Sequence, residues 1–289
     1  QQNIVDTEKI QVRPNVYSWR GINVANAHLN SYNYKRWLDS HMMKNTEWGA
    51  VSYLSHSKYG SMASVRINNN GAYITGYAAV NEPTCGYTGE NEECNKYEAT
   101  NLGVDGTYTI NYNNQGSLVA STTGNYSGVY DMSGGSWEYM MGVMADRNGN
   151  PVSGRSDQGN SNFIGTLTTP SDGIDKTKTN WTEADGGIPY PESKYYDLYA
   201  YAETNTLYSR RLLGDAVGEM GPFANVVYGT QTRQISSWYQ DESWFVNSGY
   251  PFIMRGGNES PGLGSGIFTF NAYAGFANRY NSFRVVLAF

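Results

Sequence analysis

Histidine, cysteine and carboxylate side chains are the groups from which this chain could assemble a catalytic or metal centre, and their spacing limits the chemistry. The histidines, His28, His41 and His56, all precede the cysteines, Cys85 and Cys94, and no CxxC pair occurs, so the set lacks zinc-site spacing. Cys85 and Cys94 flank the polar loop TCGYTGENEEC, which one disulfide would close; two free thiols are the alternative. With 26 Asp and Glu, some carboxylates will meet in any fold, and nothing singles out a pair for glycoside hydrolysis. A GxSxG elbow, an HExxH helix, a Walker loop and a complete GxGxxG are all absent. DRNGN at Asp146 to Asn150 has oxygen-rich spacing that a calcium ion could use, although an Asn-Gly turn explains it more simply.

The elements that must position any site are short. KNTEWGAVSYLSHSKYG predicts a helix capped by Asn45 or Thr46, with Glu47 in the first turn, Trp48, Val51 and Leu54 on one face, and Gly60 ending it. NVANAHLNSYNYKRWLDS holds an earlier helix with a less distinct apolar stripe. Beyond Gly60 the pattern changes to brief strands, SMASVRI, AYITGYA, GTYTINY, FIGTL, NVVYGTQ and FRVVLAF, separated by turns such as Asn148-Gly149 and Asp185-Gly186. This grammar predicts a loop-rich α+β protein with two helices and short, mostly antiparallel strands. No repeat or linker divides residues 1–289, so the chain reads as one domain, with insertions near 83–105 and 145–187.

Lys and Arg total 20, giving a formal charge of -6, which disfavours a nucleic-acid partner. There is no run of eighteen apolar residues to insert into a bilayer and no intact signal-peptide series; because the first residue is Gln1, a leader or anchor ahead of it stays open. The 33 Gly, 25 Tyr and few Lys, with short apolar segments between Asn, Gly, Ser and Asp, give an extracellular flavour.

Three motifs resemble one family in the same order. GVYDMSGGSWEYMMG, from Gly128, is similar to the GLYDMxGNVWEW signature of the formylglycine-generating enzyme family. MMKNTEWGAVSYL resembles its LPTEAEWEYA helix, and RGG followed by SFRVV resembles its closing segments. The resemblance implies a C-type lectin fold, in the formylglycine-generating-enzyme-like variant, over roughly residues 40–289, with residues 1–40 less well covered. It does not carry the activity across. Those enzymes oxidise a substrate cysteine with late cysteines of their own, and this chain has none after Cys94. Calcium in that family is bound partly by the Asn and Glu of GNVWEW; here Glu138 is the metal candidate but Gly135 replaces the Asn, and pairing of Glu138 with an arginine or a backbone group is the alternative.

The stretch from RGG to SFRVVLAF also resembles the variable region of proteins diversified by retroelements, which use the same fold. In that family adenine-directed miscopying turns Asn codons into NNC codons, which never encode Glu, Lys, Gln, Met or Trp. Those five types supply 46 of the 289 residues, so about four are expected from Asn258 to Phe283, where only Glu259 occurs. A small-residue β-hairpin under ordinary constraints would show the same depletion. The final residues alternate as a strand, Phe283, Val285, Leu287 and Phe289 against Arg284, Val286 and Ala288. Upstream, Phe268 and Phe270 alternate with Ile267, Thr269 and Asn271, so that one set anchors and the other faces solvent.

The expected ligand-binding surface within 255–289 is Glu259, Ser260, Leu263, Thr269, Asn271, Ala272, Tyr273, Ala274, Phe276, Arg279 and Tyr280, a Tyr, Ser, Gly and Asn mixture of the kind paratopes use. The expected function is non-enzymatic display of that surface to an extracellular protein or glycan receptor, from a bacterial surface adhesin or a phage particle, without a cofactor. A divergent enzyme of the formylglycine-generating type and a calcium-dependent sugar lectin are the alternatives.

Overall fold

A computed structural model describes residues 3–11, 18–60, 122–123, 128–130, 132–152, 163–164, 188–203, 212–217, 224–228, 231–235, 241–258 and 265–288. Cys85, Cys94, Glu259, Ser260, Leu263, Phe289, the expected strands SMASVRI, AYITGYA and GTYTINY, and the Asp185-Gly186 turn lie outside them.

Both expected helices are present. Helix α1, Val24–Tyr34, starts at Asn23, whose side chain accepts the Asn26 N–H at 2.8 Å. Helix α2, Asn45–His56, starts one residue earlier than expected, at the cap Lys44, whose N–H donates to Glu47 Oε2 at 2.8 Å. Asp197 takes the Thr46 N–H at 2.7 Å and the Thr46 hydroxyl at 3.1 Å, which places a carboxylate on the orphan donors of the first turn.

The buried face of α2 is not the expected stripe. Trp48 is buried, but Val51 is only partly covered and Leu54 is 54% exposed; Asn45, Gly49, Ser52 and Ser55 complete the inner face. Ser52 and Ser55 can sit there because their hydroxyls donate back to the carbonyls of Trp48 and Val51, at 2.9 and 2.7 Å. Gly49 is required by contact: a Cβ there would lie 2.1 Å from the carbonyl oxygen of Gly214.

The eleven strands among the described residues are β1 His41–Met42, β2 Trp137–Met144, β3 Phe163–Ile164, β4 Ile188–Pro189, β5 Asp197–Tyr199, β6 Ala224–Tyr228, β7 Gln231–Ile235, β8 Phe252–Arg255, β9 Phe270–Tyr273, β10 Asn281–Phe283 and β11 Val285–Val286. The main sheet runs β10-β2-β8-β9, with β5 also on β2. Strands β10 and β5 both run parallel to β2, while β8 lies antiparallel to β2 and to β9. Parallel pairing is therefore a larger share than expected, since β3 and β4 are parallel too. Strands β6 and β7 pair antiparallel across NVVYGTQ, which reads in the sequence as one strand and not two, and β1 pairs antiparallel with β11.

Every residue of β2 is buried. Trp137, Tyr139, Met141 and Val143 face one cluster with Ile22, Val24, Leu29, Phe163, Phe252 and Met254. Met140 and Met144 face the other, with Trp48, Tyr199, Phe245, Ile253, Phe268 and Phe270. The sheet is thus sandwiched between an α1 side and an α2 side, and each large side chain buried on it stabilises by about 1.5–3 kcal/mol. The closing FRVV segment is two short strands broken at Arg284, not one.

Candidate binding surface

Between β9 and β10 the chain crosses residues 274–280 with no regular structure, yet three of its carbonyls are held by hydrogen bonds. The Gly275 carbonyl accepts the Val24 N–H at 3.0 Å, and the Asn278 carbonyl accepts the N–H of Gly21 at 3.1 Å and of Asn281 at 3.0 Å. From beneath, the buried Tyr139 hydroxyl donates to the Phe276 carbonyl at 2.9 Å and accepts from Asn281 Nδ2 at 3.0 Å. Gly275 supplies the left-handed turn, with φ of 95°.

On this fixed backbone the side chains form a partly exposed aromatic strip. Tyr273 and Phe276 lie 4.6 Å apart between ring centroids, and Tyr250, 40% exposed, stacks beside Tyr273 at 6.5 Å and 24°. Asn278 Nδ2 donates to the Tyr273 hydroxyl at 2.8 Å. Arg279 donates to the Tyr280 hydroxyl at 2.5 Å while its guanidinium lies 4.7 Å from the Tyr280 ring centre. Asn271 donates to Glu242 at 2.8 Å. The arrangement offers aromatic area with polar edges, held before any partner arrives.

Of the expected surface residues, Asn271, Tyr273, Phe276, Arg279 and Tyr280 are partly exposed, the first two on the outer face of β9 and the others in the irregular segment after it. Thr269, Ala272 and Ala274 are buried and do not face solvent. Residues 265–269 form a turn instead of a strand, so the assumed alternation does not hold there, and Thr269 accepts the Gly266 N–H at 2.8 Å. Ala272 shares the core face of β9 with Phe270, and Ala274 lies where the chain has left the sheet. Tyr273 and Tyr280 are only partly free, because both also pack on the α1-side cluster.

Two aromatic residues were not expected. Tyr250 reaches the strip because Phe252 pairs with Tyr273, and the Asn247–Tyr250 turn is fixed by Asn247 Oδ1, which accepts the N–H of Gly249 at 2.9 Å. Trp244, 38% exposed, donates its backbone N–H to Phe270 at 3.0 Å. No local motif announces either; only the pairing of distant segments brings Tyr250 to the strip and the Trp244 backbone beside β9.

Glu138 is engaged by a cation of the protein itself. Arg284 forks onto it, with Nε 2.8 Å from Oε2 and Nη2 2.6 Å from Oε1, while Nη1 donates to the Tyr130 carbonyl at 2.9 Å. A guanidinium occupying both oxygens leaves Glu138 unsuited to calcium, so its candidacy as a metal ligand is corrected to the arginine pairing. Asp146 caps its own turn, taking the N–H groups of Asn148 and Asn150 at 2.8 and 2.9 Å, with Gly149 at φ of 88°. Among the described residues no three His, Cys, Asp or Glu side chains are grouped to hold a metal ion. No described helix is long and apolar enough to cross a membrane.

Beneath the surface lies a buried charged group. Arg255 of β8 is fully buried against Trp48 and Phe270, with its guanidinium carbon 5.7 and 5.8 Å from their ring centres. Burial pulls its pKa down to about 10 and pushes Asp215 up to about 6 and Asp241 up to about 8. Asp215 is hydrogen-bonded by the N–H groups of Leu212 and Val217, at 3.1 and 2.9 Å, and by the Tyr199 hydroxyl at 2.9 Å.

No family model matches this chain, and no curated protein matches it.

Proposed function

We propose that this chain is a non-enzymatic binding protein, a C-type-lectin-type scaffold that presents its C-terminal segment to an extracellular protein or glycan from a cell surface or a phage particle. The observation that carries the reading is the Tyr250, Tyr273, Phe276, Arg279 and Tyr280 strip on an irregular backbone pinned by Tyr139, Gly21 and Val24. A surface that must recognise a partner gains from aromatic area already ordered, because less side-chain entropy is lost on binding. The scaffold reading is supported by the resemblance of α2, β2 and the RGG and SFRVV segments to family motifs.

The binding test is a panel of glycans and cell-surface proteins, followed by Phe276→Ala and Tyr250→Ala. Affinity for the partner found should fall by about tenfold or more in each while the unfolding temperature stays near that of the parent, because exposed aromatic anchors carry much of an interface. A partner bound equally well by both variants would place recognition elsewhere. Diversification has its own test at the nucleotide level: a near copy of the last hundred or so nucleotides, differing at adenines and lying beside a reverse transcriptase gene. Without that copy the surface is a fixed one.

A further inference from the structure

We propose that Asp241 is a positioning residue for this surface: from outside the C-terminal segment, its carboxylate holds the turn at residues 265–269 on which β9 is mounted. Asp241 is fully buried, and its Oδ2 accepts the Phe268 N–H at 2.9 Å. The seat exists only because residue 266 is glycine; a Cβ there would lie 2.0 Å from Oδ1 and 2.3 Å from Oδ2. The turn also closes on itself, with Gly266 N–H on the Thr269 hydroxyl at 2.8 Å and Thr269 N–H on the Gly266 carbonyl at 3.0 Å. Its outer carbonyl, that of Ile267, takes the Trp48 indole N–H at 2.7 Å.

The chain leaving Asp241 then runs beside β9. Phe270 donates to the Glu242 carbonyl and Trp244 donates to the Phe270 carbonyl, each at 3.0 Å. One stretch therefore grips the turn through a side chain and the first residue of β9 through its backbone. Residues of the C-terminal segment that point outward can differ without disturbing this grip, because neither bond uses an outward side chain.

The grip is linked to a proton. Burial raises the Asp241 pKa to about 8, against the opposing effects of the Phe268 amide and Arg255. Among the described residues the charged and titratable groups around it are Arg255 from β8, Glu242 beside it in sequence, His56 from α2, stacked on Phe268 at 5.6 Å, and, facing the guanidinium, Asp215 from the 212–217 turn, Tyr199 from β5 and Tyr53 from α2. In an opened turn the carboxyl returns to its ordinary value, so opening becomes easier as pH rises, by up to about tenfold per pH unit until the folded pKa is passed.

The inference takes its significance from the proposed binding role, but its test uses no ligand, so the two can fail separately. Hydrogen exchange of the full chain, followed by mass spectrometry, reads protection over 265–273 against protection in β2 and β8. Asp241→Ala should lower protection over 265–273 by about tenfold or more and leave β2 and β8 unchanged. Asp241→Asn keeps an acceptor for the Phe268 N–H and should hold wild-type protection at about pH 6, but without the decline that the wild type shows toward about pH 8. If Asp241→Ala does not fold, the wild-type and Asn pH series decide alone. Unchanged protection over 265–273 in the Ala variant, a loss spread evenly through β2 and β8, or parallel wild-type and Asn pH series would overturn the proposal.

Discussion

Arg284 lies at the break between β10 and β11 and closes a two-pronged bond on Glu138 of β2, the two side chains being 22% and 9% exposed. One fork thus fastens the end of the chain to the middle of the sheet. Arg284→Ala leaves a buried carboxylate unpaired and should cost about 3–5 kcal/mol. Arg284→Lys keeps the charge but loses the planar fork, and should cost less. Denaturant unfolding of both, with the Glu138→Gln/Arg284→Met double variant, checks the pair: the double should be milder than Arg284→Ala.

His41 makes stability fall as pH rises. Burial works against its charged form, but Glu47, 3.0 Å from Nε2, and the Asp39 carbonyl, 2.7 Å from Nδ1, outweigh it and raise the pKa above the ordinary histidine value. A raised folded pKa contributes stability that is complete below the ordinary value of about 6.5 and disappears as pH passes the folded value. The stability gap between wild type and Glu47→Gln should therefore narrow from about pH 6 to pH 8. A gap that widens over that window would refute the assignment.

His28 acts in the opposite direction. Burial, assisted by the charge of His41, lowers its pKa to about 3, and among the described residues its Nδ1, between Tyr32 and Phe163, has no hydrogen-bond partner. A depressed folded pKa means stability that is present above the ordinary value and lost as pH falls toward the folded one. Thermal unfolding of His28→Leu should consequently decline less steeply than wild type between about pH 6 and pH 4.

Tyr139→Phe removes one hydroxyl and leaves both the Phe276 carbonyl and the Asn281 amide without that partner. The expected cost is about 1–3 kcal/mol, and amide exchange should quicken over residues 274–281 more than in β8. Equal quickening throughout the sheet would mean that Tyr139 supports the whole core and not the surface in particular.

The sequence was most informative where one face of an element is wet. The alternation of Phe270 and Asn271 at the start of β9 and the existence of both helices follow from local pattern. The two central strands escaped it. WEYMMGVM and FIMR are buried on both sides, and a strand covered on both faces shows an apolar run without the period that would reveal it. Helix α2 misled in another way, because Ser52 and Ser55 read as polar but hide their hydroxyls on the preceding turn. The surface was half legible: Tyr273, Phe276, Arg279 and Tyr280 lie within one segment, whereas Tyr250 joins it, and Trp244 and Asp241 reach the start of β9 and its turn, only through the packing of distant segments.

The pairing of β1 with β11 sets an order on how this protein can fold. His41 lies opposite Val286 and Met42 opposite Val285, with almost the whole chain between them. During synthesis β1 must wait, its partner unmade, until Val285 and Val286 have left the ribosome. Contacts of such long sequence separation carry a large closure entropy before they give any return, which makes for slow folding and a long interval with exposed strand edges. A variant lacking Val285 and Val286 would lose the strand that pairs with β1, and would be a candidate for aggregation or proteolysis, not a slightly altered binder.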